Sequence, residues 1–403
     1  MIGKLFRTTL FLLGFSTAAH AQTLVLVGGT VYSSPDGAPQ PDAVVVVTGG
    51  AITAIGPRSN VQIPNDVRII DCAGKIIVAG FWNSHVHFTQ AVWRSAASGP
   101  AEPLTAHMQE MLTRWGFTTV WDLGSDPAET LPLRRRVNAG EVLGPNILLA
   151  GSMYPKDGHP IYLPAEMMLP ETDIPDQAGQ WARSYLDMGL DGVKLFTGSY
   201  KGEDKPVVNM EVTVAKAAVD VAHARGKPVF AHPQNWTGVE VVIEAGVDVM
   251  AHTIPLGGPG YPPEELARFK QQGTALIPTL SLFAKLPVPA MIAERLVNDS
   301  VAQLKDFSDN GGPVLFGTDV GFTTIYDTTL EYELMHRALS ERQVLASLTT
   351  NPATYFKAAK KGRVEKEFDA DLVVLDGDPL ADVRNLAKVA YTIRAGGIIY
   401  QKP

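Results

Sequence analysis

One cysteine, Cys72, is all the chain has in 403 residues, so no disulfide can form within it. Alone and far from the N-terminus, Cys72 reads as a packed structural thiol and not as a lipid attachment point. Long apolar runs are also missing. No window past the first residues reaches about 18 uncharged apolar residues, the length a bilayer-spanning helix needs. Positive charge is in the minority, with 34 Lys and Arg against 42 Asp and Glu. The resulting net charge of −8 argues against nucleic acid or an anionic membrane as partner, since both call for a basic surface. With 45% apolar and 19% charged residues the chain is globular, long enough for one large domain or two modest ones. Homo-oligomerisation stays open.

At the N-terminus Lys4 and Arg7 precede the apolar run Leu10-Phe11-Leu12-Leu13-Gly14-Phe15, followed by Ala19-His20-Ala21. This is the order of a secretory signal over residues 1–21, cleaved before Gln22, and it predicts a periplasmic or secreted protein without a stable membrane anchor after cleavage.

Short strands and turns fill residues 22–80: Leu24 to Val27, Thr30 to Tyr32, Val44 to Val47, Ala51 to Ile55 and Val67 to Ile70, broken by Gly28-Gly29, Pro35-Asp36-Gly37 and Gly49-Gly50. The same texture returns only over 363–403, in Asp371 to Leu375, Val389 to Ile393 and Ile398 to Tyr400. Each fragment is short for a sheet of its own, which predicts one β-sandwich assembled from both ends.

Between them, over 81–362, helix, short loop and strand repeat. Strands are expected before His85, then at Thr118 to Trp121, Asn146 to Ala150, Gly192 to Phe196, Pro228 to Ala231, Val247 to Ala251, Thr274 to Pro278 and Pro313 to Phe316. They are apolar throughout rather than alternating, as in parallel sheets buried on both faces. The expected fold is α/β, a (β/α)8 TIM barrel, with a doubly wound open sheet as the alternative.

In both folds ligands gather at the carboxyl ends of the strands, where this sequence places its polar residues. His85 and His87 stand two apart in a strand, so both side chains face one way and can grip one metal ion. Lys194, His232, His252 and Asp319 each end or follow a later strand. Imidazole and carboxylate without thiolate suit zinc, and also manganese, iron or cobalt. An ammonium has no lone pair for a metal. Lys194 therefore either carries a carboxyl group, as a carbamate bridging two divalent ions, or stays a structural cation or oxyanion donor. His107, His223 and His336 fall within helices and read as ordinary helix-face residues. His159, in a Pro-rich loop after the third strand, is placed to hold a substrate oxygen. Tyr154, Lys156, Tyr200, Lys201, Gln234, Asn235 and Phe322 lie in loops that can shape the pocket.

With these residues in hand, the chain resembles the amidohydrolase superfamily from Leu24 to Tyr400. The resemblance rests on Gly28-Gly29-Thr30-Val31-Tyr32, on the Ile-Asp-x-x-Gly-Lys-x-Ile-x-x-Gly-Phe-x-x-x-His-x-His pattern of Ile70 to His87, and on Ala370 to Leu380. Lys194 on the fourth strand is similar to the imidazolonepropionase-like branch that includes prolidase-type metal-dependent dipeptidases. The resemblance implies two divalent metal ions, zinc, per chain, one held by His85, His87 and Asp319 and another by His232 and His252, with N6-carboxylated Lys194 between them and His159 against substrate. It also implies hydrolysis of an amide or cyclic amide C–N bond in a small molecule or short peptide by water activated on the metal, with Asp319 moving the proton. A phosphotriesterase or lactonase on the same site and a non-catalytic metal-binding barrel are the alternatives. Ala79 stands where the opening motif has proline, Asn83 where it has aspartate, and Pro233-Gln234-Asn235 where the dipeptidases have a tyrosine.

Overall fold

A computed structural model describes residues 23–163 and 169–403. The expected signal segment lies outside the described residues. The middle of the chain folds as the apolar strands require. Phe81–Val86 and Phe117–Asp122 are buried along their whole length. They pair in parallel with each other, and the ladder continues in parallel through Asn146–Pro155, Gly192–Phe196, Val229–His232, Val249–Ala251 and Ala275–Ile277. Helices pack outside the seven strands. The helix Pro127–Asn138 begins where it does because the Asp126 side chain accepts from the Ala128 N–H at 2.8 Å and proline suits the first helical turn.

The expected eighth strand does not form as a regular strand. Residues 313–320 instead close the ring by isolated bridges, Leu276 to Val314 on one side and Val86 to Val320 on the other. Leu315 N–H donates to Leu276 O at 2.9 Å and Ser84 N–H donates to Phe316 O at 2.7 Å. Pro313 has no N–H for a ladder, and at Gly317 the backbone runs so close to its neighbours that a Cβ would meet Ile277 Cγ2 at 2.4 Å. The result is a nearly closed barrel of the TIM type.

Trp82, Trp121, Phe230, Val249, Ala251 and Ile277 fill one cluster within the barrel, and Phe356 joins it with its ring 5.1 Å from Trp121. Val86, Val120, Val193 and Val229 instead join the core shared with the helices. Lys194 and His232 therefore alternate onto the inner side.

Strands from both ends of the chain meet in a separate sheet. Ile76–Ala79 pairs antiparallel with Leu372–Leu375, so Leu24–Val31, Gln40–Thr48, Ala51–Pro57 and Arg68–Asp71 are continuous with Val389–Arg394 and Gly397–Gln401. Leu24, Leu26, Val45 and Val47 belong to one apolar cluster of this sheet, and Val25, Val44 and Val46 to another. Cys72 is fully buried in the first cluster, and burial pushes its thiol up to about 12. Among the described residues no helix is long and apolar enough to cross a membrane.

Candidate metal centre

The centre begins with an irregularity. Between Asn83 and Val86 the pairing with Phe117–Asp122 shifts register, which lets the inward phase of Trp82 pass to His85 and His87. The Asn83 side chain occupies the gap: Oδ1 accepts from His85 N–H at 3.2 Å and Thr318 N–H at 3.3 Å, while Nδ2 donates to Thr318 Oγ1 at 2.8 Å. Such an irregularity beside a site re-aims a side chain at the cost of ladder bonds, and the Asn83 amide makes up for part of that loss. An aspartate there could accept both amides but would have no hydrogens to donate to Thr318.

His85 Nε2 and His87 Nε2 lie 3.2 Å apart. Asp319 Oδ1 stands 3.3 Å from the first and 3.0 Å from the second. Among the described residues these three form the group whose ligand atoms all fall within 4.8 Å of one another. His252 Nε2 is 4.0 Å from Asp319 Oδ2, with its ring 4.7 Å from that of His85, and the His232 ring is 4.8 Å from that of His252. Five ligand residues expected from sequence thus come to one place. Lys194 is 1% exposed, and its Nζ lies 5.9 Å from the Phe196 ring centre. Among the described residues no ion pair or hydrogen bond reaches that Nζ.

The electrostatics favour lone pairs. Burial, reinforced by the Lys194 charge, pushes the His232 imidazole down to about 4. Burial also holds His85 and His252 well below the usual imidazole range. Burial lowers the Lys194 ammonium to about 7 against the attraction of Asp319. A buried carboxylate facing imidazole lone pairs needs a cation. Asp319 Oδ1 is buried with no hydrogen-bond partner, and it is the oxygen that faces both Nε2 atoms. The donor set therefore fits a divalent metal: two imidazole nitrogens and one carboxylate oxygen, with separations suited to shared coordination.

Two ligands lie on strained backbone. His252 has φ 76° and Asp319 has φ 57°, the left-handed region that non-glycine residues rarely adopt. Two further residues support the ligands and were not legible as functional. Thr279, with φ 46°, places Oγ1 2.6 Å from His252 Nδ1. Asp122 places Oδ1 4.0 Å from His87 Nδ1, and accepts from Ser125 Oγ at 2.7 Å. Asp122 is the last residue of its strand and Thr279 follows Ala275–Ile277, and position at a strand end is the one signal that pointed to them.

The pocket candidates separate. A file of ring contacts runs outward from His232 to Phe196 at 5.1 Å, Tyr154 at 4.4 Å and His159 at 5.8 Å. Tyr154 is fully buried, with its hydroxyl unpartnered, and His159 Nε2 is likewise buried without a partner. Lys201 Nζ donates to His159 O at 2.7 Å, so it anchors the loop. Tyr200 contributes its carbonyl to Ile161 N–H at 3.2 Å. Gln234 Oε1 lies 2.9 Å from His232 Nε2. Phe322 packs its ring 5.5 Å from that of Tyr162. Asn235 is spent on structure, capping the helix Trp236–Ala245 by accepting from Gly238 N–H at 2.8 Å. Lys156 is exposed and pairs with Asp173 at 3.4 Å.

Comparison with known proteins agrees with this architecture. Residues 76–399 match the amidohydrolase family. Ochratoxinase of Aspergillus niger is 21% identical over 435 residues, covering 95% of this chain and 88% of that protein. A prolidase candidate from Bifidobacterium longum superposes with a TM-score of 0.79 at 26% identity, covering 95% of this chain and 96% of that one. A Xaa-Pro dipeptidase with methionine bound in its active site superposes at 0.78 with 22% identity, over 94% of this chain and 100% of that one.

Proposed function

Since the chain belongs to the amidohydrolase family and is a hydrolase acting on carbon–nitrogen bonds, we propose that it cleaves an amide or cyclic amide in a small molecule or short peptide, outside the cytoplasm, with divalent metal at the strand ends. The observation that carries the metal reading is the unpartnered Asp319 Oδ1 between His85 Nε2 and His87 Nε2. These three residues would hold one ion. His232 and His252 would hold a second, with Lys194 shared between the two as a carbamate. Zinc is the proposed metal.

Bound there, a divalent ion supplies Lewis acidity, which lowers the pKa of water and polarises a carbonyl. The chain's own residues do the rest. Asp319 accepts the proton of the attacking water on a carboxylate oxygen and delivers it to the leaving nitrogen, which departs poorly as an anion. His159 offers its unpartnered Nε2 to the oxygen that gains charge as the carbonyl is attacked. Phe196 and Tyr154 form an apolar wall between His159 and His232, which restricts water around that oxygen. Tyr162 and Phe322, with exposed Ile161 and Ile325, stand in loops past the strand ends and suit a substrate that carries an apolar or aromatic part.

The test is an assay of zinc-loaded mature protein against N-acyl amino acids, dipeptides, lactams, lactones and a phosphotriester. Turnover of an amide or lactam is the expected result. Turnover confined to lactones or phosphotriesters would put the pocket in the alternative class. N-terminal mass spectrometry of exported material should find Gln22 first, and an intact Met1 would overturn the export reading.

A further inference from the structure

Tyr162 and Phe322 belong to loops that leave separated parts of the barrel, yet their rings meet edge to face with centres 5.5 Å apart. Tyr162 lies in the loop after Asn146–Pro155, and Phe322 in the turn after Asp319. In the ring of strands, Phe81–Val86 and Phe117–Asp122 stand between these two loops. The contact therefore bridges the mouth over the strand ends that carry His85, His87 and Asp122.

Both footings of the bridge are fixed. On the Phe322 side, Gly321 O accepts from Thr89 Oγ1 at 2.8 Å and Gln90 Nε2 at 3.1 Å, and Thr323 N–H donates to Asp319 O at 3.3 Å. Gly321 has φ 104°, and a Cβ there would meet His87 O at 1.8 Å, so this turn lies directly against the backbone of a metal ligand. On the Tyr162 side, the Glu171 carboxylate accepts from Asp157 N–H and His159 N–H, each at 3.0 Å, and Tyr200 O accepts from Ile161 N–H at 3.2 Å. An aromatic pair held from two sides loses little freedom when a substrate arrives.

Tyr162 is 37% exposed as a residue, but its polar end lies within. Burial pushes the phenol up, and Tyr154 and then Asp319 push it further, so the hydroxyl hangs on their side of the bridge and keeps its hydrogen. Both of those neighbours are unsatisfied. The Tyr154 hydroxyl and Asp319 Oδ1 are buried without a hydrogen-bond partner, which marks the space beneath the bridge as one that a polar ligand completes.

We propose that Tyr162 is a substrate contact that sets specificity: its ring, with that of Phe322, covers an aromatic group beside the scissile bond, while its hydroxyl donates to an oxygen of the same substrate. A third ring packs well on such a pair, against the face of one member and the edge of the other. The inference rests on the hydrolase reading above. The experiment is calorimetric titration of the zinc-loaded full-length mature protein with phenylphosphonate and methylphosphonate, which share a metal-binding anion and differ in the ring. Wild type should prefer the phenyl probe by about tenfold or more. Tyr162→Phe should weaken both probes by about 3–10-fold and keep the preference, whereas Tyr162→Ala and Phe322→Ala should lose the preference, all three with wild-type zinc content. Equal binding of the two probes by wild type, or a full preference in the alanine variants, would overturn the proposal. Wild-type affinities in Tyr162→Phe would overturn the role of the hydroxyl. Amide turnover by the same wild-type preparation separates the two readings: turnover without a phenyl preference keeps the hydrolase and removes the role of Tyr162, and binding of neither probe with no turnover removes both. If Tyr162→Ala does not fold, Phe322→Ala and Tyr162→Phe decide.

Discussion

Thr279 Oγ1 lies 2.6 Å from His252 Nδ1 and 2.9 Å from the carbonyl oxygen of Pro278. A hydroxyl has one hydrogen. Given to Pro278 O, it leaves Oγ1 to accept from His252 Nδ1–H, and that tautomer turns the Nε2 lone pair towards Asp319. The buried Glu331 carboxylate steadies this arrangement by accepting from Leu280 N–H at 2.9 Å and Ser281 N–H at 2.6 Å, immediately after Thr279.

Thr279→Val keeps the side-chain shape but removes the acceptor. Zinc affinity or turnover should fall by about 10–100-fold, and Thr279→Ser should retain most of both. Equal zinc titrations for valine and wild type would remove Thr279 from the centre.

Asp319→Asn should keep much of the metal, because an amide oxygen can still coordinate, while turnover drops by about 10²–10⁴ for loss of proton transfer. Elemental analysis alongside single-substrate kinetics separates the two effects. Near-normal turnover with metal retained would contradict the role assigned to Asp319.

Lys194→Ala should lower both metal content and activity, and added acetate or propionate should recover part of each by occupying the vacated space. The physical reason is charge: a bare ammonium repels a divalent ion, whereas a carbamate gives it an anionic oxygen. One zinc per active chain, with unmodified Lys194 seen in experimental density, is the outcome that defeats the bridging role.

Lys361 tests the sheet made from both ends. Its Nζ lies 2.5 Å from Asp371 Oδ2 and 3.0 Å from Asp369 Oδ2, and Asp371 O accepts from Gly80 N–H at 2.7 Å. Burial alone would lower the Lys361 ammonium, but Asp371 and Asp369 override it and raise its pKa above the usual lysine value. A raised folded-state pKa means the pair's stabilisation is fully present below the unfolded value and is lost as pH climbs through the folded one. Lys361→Met should therefore cost about 1.5–3 kcal/mol near neutral pH, measured by denaturant unfolding, with the gap from wild type closing in strongly alkaline buffer. A gap that stays constant up to that range would count against the ion pair.

Sequence alone determined which residues end the barrel strands. Apolar runs closed by His87, His232 and His252 are local patterns, and a parallel sheet buried on both faces leaves them few other places to go. The pairing of the two ends was legible for a similar reason, because neither fragment is large enough to stand alone. Tertiary structure decided the rest. The register shift at Asn83, the bridges that stand in for a strand over 313–320, and the left-handed backbone of His252, Thr279 and Asp319 arise where a strand end must satisfy neighbours distant in sequence. The division of the loop residues was likewise non-local. Asn235 and Lys201 hold backbone, whereas Gln234 faces a ligand, and side chains of similar polarity acquire these different roles only through the partners that folding brings beside them.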